Sequence, residues 1–251
     1  MINSRAVLVT GGSRGIGRAI AHAFAAAGDR VAVHWGASRE RAEAVLAELP
    51  GDGHVLVQAD LADADEVGRM VDEAAAALDG LHVLGNNAGV FTAHPPLSVS
   101  YEEWQAAWSR TLAVNLLGAA NATFRAVPHL VAAGGGAVVN VSSRGAFRGE
   151  PDTPAYGASK AGLNAFGQSM AIALAPHGIS VGTVAPGFVQ TEMAREVLDG
   201  PGGDTVRAQS PYGRVARPEE VASAVLWLAS PGARFSTGTI IDVNGASYLR
   251  S

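Results

Sequence analysis

The feature that most restricts the fold is a rhythm of short, unbroken apolar runs, each followed by a longer segment with helical spacing. Ala6–Thr10 leads into Ile16–Ala27, Val31–Trp35 into Glu40–Leu49, and His54–Ala59 into Glu66–Leu78. Runs that are continuous, not alternating, are what strands covered on both faces look like. Further strands are expected at His82–Gly85, Ala137–Ser142, Ser180–Val184 and Thr239–Val243, and further helices near Glu102–Ala132, Pro154–Ala175 and Pro218–Ala229. Strict β-α repetition predicts an α/β chain with one doubly wound parallel sheet of about seven strands and helices on both faces.

No linker or low-complexity tract interrupts the rhythm, so residues 1–251 read as one domain. Gly28, Gly51, Gly80 and Gly178 fall where helices should end or strands begin, and Asp63 with Glu66 reads as a capping box. The least patterned stretch, 187–211, contains Gly200, Pro201, Gly202 and Gly203 and is expected to be a mobile lid, with Met193, Val197 and Leu198 giving it an apolar wall.

Charge and composition exclude several partners. There are 18 basic and 23 acidic side chains, a net charge of −5, and no basic stripe for nucleic acid or an anionic membrane. No apolar stretch reaches the roughly 18 residues of a membrane span, and Met1–Thr10 sets Arg5 before only a four-residue apolar run. A cytoplasmic protein is expected. The chain has no cysteine, and its seven histidines are scattered without an i, i+4 pair, so no metal site is expected.

Glycine is abundant, at 31 residues, and its placement carries chemistry. Thr10-Gly11-Gly12-Ser13-Arg14-Gly15-Ile16-Gly17 follows the first strand and runs into a helix. Such a loop lets the backbone turn sharply beside a pyrophosphate, whose charge then meets the free N–H groups of the helix start. This makes the sheet Rossmann-type. Gly11-Gly12-Ser13-Arg14-Gly15 also satisfies the nucleophile elbow of a serine hydrolase, but an elbow belongs in the middle of a sheet already laid down, and Ser13 follows the first strand.

An NAD site calls for an acidic side chain at the end of the second strand. Trp35 stands there, with Ser38 and Arg39 just beyond and Arg14 inside the loop, so guanidinium and hydroxyl groups are expected around a 2′-phosphate. NADP(H) is favoured over NAD(H). Asp60, at the end of the third strand, and Asn86-Asn87-Ala88-Gly89, at the end of the fourth, should share this ligand-binding edge.

The proton chemistry is written more sparingly. Lysine occurs once, at Lys160, four residues after Tyr156 on a predicted helix, so phenol and ammonium share a face. A cation about 4 Å from the phenol would contribute roughly 4 kcal/mol at an effective dielectric of 20, enough to bring a reference pKa of about 10 near neutrality. Ser143 ends the fifth strand on the same edge and could polarise a carbonyl. Asn115 is a poor helix-interior residue unless its amide has a local task, such as kinking the helix to hold a water.

Together these residues resemble the short-chain dehydrogenase/reductases over essentially the whole chain: the glycine loop, Asp60-Leu61, Asn86-Asn-Ala-Gly89, Asn115, Ser143, Tyr156-x-x-x-Lys160, Pro186-Gly187 with Thr191, and Arg217-Pro-Glu-Glu-Val. The resemblance implies a catalytic tetrad of Asn115, Ser143, Tyr156 and Lys160. Tyr156 would be the general acid in reduction, Ser143 the holder of the substrate oxygen, Lys160 the ribose ligand and Asn115 the support of a relay water. It further implies that Asp60 and Leu61 contact adenine, Asn87 a ribose, and Val189 and Thr191 the carboxamide. The pattern is most similar to 3-oxoacyl-carrier-protein reductases and their secondary-alcohol relatives, mostly homotetramers, in which Ala119, Ala161 and Ala165 would permit close helix pairing. Val131–Ala137 lacks the basic residues that would meet an acidic carrier, so a small carbonyl or alcohol substrate is the expectation. The alternatives are a dinucleotide-binding protein without turnover and a hydrolase built on Ser13.

Overall fold

Seven parallel strands form one sheet in the order β3-β2-β1-β4-β5-β6-β7. They are β1 (Ala6–Val9), β2 (Arg30–Trp35), β3 (Val55–Gln58), β4 (Val83–Asn86), β5 (Gly136–Val141), β6 (Ile179–Pro186) and β7 (Ile240–Val243). The computed structural model describes residues 4–250; Met1 and Ser251, the ends of the expected unit, lie outside the described residues. The alternation of strand side chains splits the core. Ala6, Leu8, Leu84 and Val138 face one apolar layer, with α3 (Ala64–Ala77), α5 (Ala119–Ala132) and α6 (Pro154–Leu174). Val7, Val9, Val33 and Val139 face the other, with α1 (Gly15–Ala26), α2 (Arg39–Glu48) and the late helix Pro218–Leu228. Each fully buried Leu or Phe, such as Leu84 or Phe24, contributes about 1.5–3 kcal/mol of transfer free energy.

The strand order reverses between β1 and β4, and a crevice opens there beyond their carboxyl ends. Three elements depart from the sequence expectation. The expected helix 102–132 is two helices, α4 (Tyr101–Leu112) and α5, joined by a π-helical turn over Ala113–Gly118 that contains Asn115. The 187–211 stretch holds two short helices, α7 (Glu192–Asp199) and α8 (Gly203–Ala208), ahead of α9 (Pro218–Leu228). The box at α3 is half formed: Asp63 caps the N–H groups of Asp65 and Glu66, but Glu66 Oε2 accepts from the Asp60 N–H at 2.6 Å. No helix among the described residues is long and apolar enough to cross a membrane.

Candidate active site

The crevice is a cavity of about 990 Å³. Its floor at the switch point is the glycine loop, which the rest of the fold holds rigidly. Gly11 (φ +64°) needs a left-handed backbone, and a Cβ on Gly17 would lie 2.0 Å from the Gly11 carbonyl oxygen, so only glycine fits. The Asn87 amide donates to the Thr10 and Gly11 carbonyls at 2.9 and 3.2 Å, while Thr10 Oγ1 accepts from the Asn87 and Ala88 N–H groups. Asn87 thus lines the cavity with its amide nitrogen already engaged in fixing the loop.

A buried histidine that the sequence did not single out completes this clamp. His34 Nδ1 accepts the Gly11 N–H at 2.9 Å and its Nε2 faces the Ala59 carbonyl at 3.1 Å, so the ring is neutral with its proton on Nε2. Burial holds its pKa below the ordinary value. With both ring nitrogens engaged, His34 is not free to act as a base for Ser13.

Gly11, Ser13, Arg14, Gly15, Ile16 and Gly17 all border the cavity, as do Ser38, Asp60, Leu61, Asn87, Ala88 and Gly89. The far wall contains Pro186, Gly187, Val189 and Thr191. Two of the expected cofactor contacts do not border it. Trp35 ends β2 without facing the crevice, and Arg39 turns outward to pair with Glu43 one helical turn on. Arg41 takes the cavity position, because Ser38 caps α2 by accepting from the Arg41 N–H and residues two apart on a helix face opposite sides. Arg41 pairs with Glu192 at 2.8 Å, and Arg14 stands 4.0 Å from the same carboxylate. Leu198 is buried inward, so only Met193 and Val197 of the expected lid wall face the cavity. Asp60 is held by both its oxygens to Arg110, which pulls its carboxyl below the usual range.

At the other end of the cavity stand Ser143, Tyr156 and Lys160. Ser143 Oγ accepts from the Gly145 N–H at 3.0 Å and lies close enough to the Tyr156 phenol to act on its pKa. Ser142, its neighbour, instead donates to the Lys160 carbonyl and ties β5 to α6. Phe91 stands edge-on to the Tyr156 ring, 4.9 Å between centroids. Lys160 is buried, donates to the Val141 carbonyl at 2.9 Å and lies 5.7 Å from the Tyr156 ring centroid; burial lowers its pKa to about 8. The expected acidified phenol is not found. Burial pushes the Tyr156 phenol up, the Ser143 hydroxyl pulls it back, and the nearby Glu150 pushes it up again. With its ammonium 5.7 Å from the ring centroid and its own pKa lowered to about 8, Lys160 does not outweigh desolvation of the phenol.

Asn115 is buried in the π turn, where its amide clasps Val90: Val90 N–H donates to Oδ1 at 2.8 Å, and Nδ2 donates to the Val90 carbonyl and to Ser159 Oγ. Asn115 does not itself border the cavity. A Cβ on Gly89 would press on both Asn115 Oδ1 and Lys160 Nζ, at 3.3 and 3.4 Å, so this glycine is what lets the two side chains meet the β4 edge. Among the described residues no group of three His, Asp or Glu side chains is placed to hold a metal ion.

The crevice fits a dinucleotide: a backbone loop whose tight turn admits no Cβ at Gly11 or Gly17, cationic side chains at one end, and a phenol, a hydroxyl and an ammonium at the other. Comparison with known proteins agrees. The family model described as "Enoyl-(Acyl carrier protein) reductase" matches residues 11–246. The chain is 37% identical to the 3-oxoacyl-[acyl-carrier-protein] reductase FabG of Staphylococcus aureus (strain Mu50 / ATCC 700699), over 98% of this chain and 99% of that one. It is 40% identical to the cis-4-hydroxycyclohexanecarboxylate dehydrogenase of Sinomonas cyclohexanicum, over 96% and 95%. A short-chain dehydrogenase of Burkholderia cenocepacia J2315, solved in complex with NADP, superposes with a TM-score of 0.88 at 36% identity, covering 97% of each chain. On this sequence, this sheet and these relatives, the chain belongs to the short-chain dehydrogenase/reductase family of NAD(P)-dependent oxidoreductases.

Proposed function

We propose that the protein reduces a ketone to a secondary alcohol with NADPH, in a cytoplasmic homotetramer. The observation that carries the reading is the convergence of Ser143, Tyr156 and Lys160 on the same cavity that the glycine loop floors. Arg14, Arg41 and Ser38 would receive the 2′-phosphate, the N–H groups of the glycine loop the pyrophosphate, and Lys160 the nicotinamide ribose. The nicotinamide, when bound, supplies a hydride to the carbonyl carbon.

The chain's own residues handle the oxygen. Ser143 donates a hydrogen bond to it, and Tyr156 gives it a proton as alkoxide character develops. A phenol held above its ordinary pKa stays protonated at neutral pH, and an alkoxide is far more basic than any phenolate, so the site's electrostatics favour the reductive direction. Lys160, with a pKa near 8, can lose and regain a proton at working pH and so return one to Tyr156. Asn115 keeps the Val90 loop and Ser159 in place beneath this pair, where a relay water would be held.

The wall of Phe91, Met193 and Val197 suits a short acyl chain or a ring. The two curated relatives named above span this range, one a 3-oxoacyl thioester and the other a cyclic hydroxy acid. A lid formed by 187–211, now with α7 and α8, would close over it. Exposed Leu117 and Phe124 on the α5 side and Ile172 on α6, with exposed Ala161 and Ala165, support helix pairing between subunits; Ala119 is buried within the chain. The reaction is tested with Tyr156→Phe against a ketone panel. NADPH oxidation should fall by about 10²–10⁴-fold while NADPH binding, followed by fluorescence, stays nearly intact. Full activity in the variant, or a wild type that binds NADPH and reduces no ketone, would refute the reading.

A further inference from the structure

The one arginine buried among the described residues is also one with no carboxylate to pair with. Arg144 is 4% exposed, directly follows Ser143, and lines both the large cavity and an adjoining one of about 200 Å³. Its guanidinium lies 4.9 Å above the Phe188 ring, and Nη1 donates to Ser247 Oγ at 2.8 Å. No other side-chain hydrogen bond and no ion pair within the described residues engages it, and its remaining nitrogens are not sealed from the cavities. Of the neighbouring cations, Arg214 holds both oxygens of Glu220, and Arg148 reaches only the neutral Gln209. Glu150, the acidic side chain close enough to feel the Arg144 charge, forms no ion pair with it, and burial raises its pKa.

We propose that Arg144 receives the carboxylate of the substrate, so that the ketone reduced here is a small keto acid. A buried guanidinium persists where an anion compensates it, and here no carboxylate among the described residues pairs with it, Glu150 acting on it only through its field. With Nη1 spent on Ser247 and the flat face on Phe188, the free edge is Nε with Nη2, a parallel pair of donors that matches the two oxygens of a carboxylate. The substrate would then span from Ser143 and Tyr156 to Arg144 along the wall shared with Phe188. This inference rests on the proposed ketone reduction and names the substrate class for that same site.

The test compares acids with their methyl esters, 4-oxocyclohexanecarboxylate and levulinate each against its ester, with NADPH and wild-type protein. The acids should be preferred by about tenfold or more in kcat/KM, chiefly through KM. Arg144→Gln should raise KM for the acids by a similar factor and change the esters by less than about threefold; Arg144→Lys, which keeps the charge but loses the fork, should fall between. Esters reduced as well as acids in the wild type overturn the inference and leave the reductase standing, as does an Arg144→Gln loss that is equal for both. Failure to reduce any acid or ester would instead count against ketone reduction itself. The wild-type comparison decides the matter even if the variants do not fold.

Discussion

Tyr156 shows how a pairing visible in the sequence acquires its chemistry only from its surroundings. The lone lysine four residues from a tyrosine was legible because it was rare and because helical spacing places both on one face. What spacing could not show is that the phenol is desolvated, that Lys160 spends its ammonium on the Val141 carbonyl, and that Glu150 adds a negative charge nearby. Glu150 lies in a loop without periodicity, so no pattern points to it. Its charge is nevertheless one cause of the raised phenol pKa, and Glu150→Gln removes it. In the oxidative direction, where the phenolate must act as base, the rise of kcat/KM with pH should move to lower pH by up to about one unit. A pH–rate profile of alcohol oxidation that coincides with that of the wild type would show that Glu150 does not act on Tyr156.

The elements that carry the site were legible where a hydrophobic period or a glycine marks them, and misread where geometry alone decides. All seven strands stand where apolar runs place them, since burial on both faces leaves a continuous signature. The break at Asn115 was readable only as an oddity of residue type, because a π turn needs no proline or glycine to announce it. Arg39 and Arg41 were confused because the choice between them depends on where Ser38 starts the helix. Helix α7 carries a consequence for cofactor choice. Its first residue, Glu192, bridges Arg41 and approaches Arg14, the two guanidiniums proposed for the 2′-phosphate, and so competes with that phosphate. All three side chains are about half exposed, which keeps the competition modest. Glu192→Gln should lower KM for NADPH by about two- to fivefold and leave NADH nearly unchanged. Equal effects on both cofactors would mean that Glu192 acts on the lid and not on the phosphate subsite.

At the scale of the whole molecule, the first strand, beside the point where the strand order reverses, is bracketed by neutral imidazoles. The N–H of Ala6, at the start of β1, donates to His82 Nδ1 at 3.0 Å, and the N–H of Gly11, just past its end, donates to His34 Nδ1. Protonating either ring would turn an acceptor into a donor facing a donor. Burial lowers the pKa of both, with the Arg30 and Arg5 charges adding to the effect at His82. Above the unfolded value of about 6.5 neither state takes a proton, and the full stability is present; below it the unfolded chain binds protons that the folded chain refuses, so stability falls with pH. For buried His34 the loss approaches about 1.4 kcal/mol per pH unit until its folded pKa is reached, and His82, nearer solvent, adds less. Asp60, Asp72 and Glu220, whose pKa values are lowered, in Glu220 to about 2, lose their contributions only at still lower pH. Glu150, raised by burial, takes its proton first in the folded chain and opposes the loss in part. Thermal unfolding should therefore give a lower Tm at pH of about 5.5 than at about 7.5, and His34→Asn, which keeps an acceptor for Gly11 but cannot titrate, should flatten that dependence. A Tm that is the same at both pH values, or a slope unchanged in the variant, would remove His34 as the pin between the glycine loop and the sheet's acid stability.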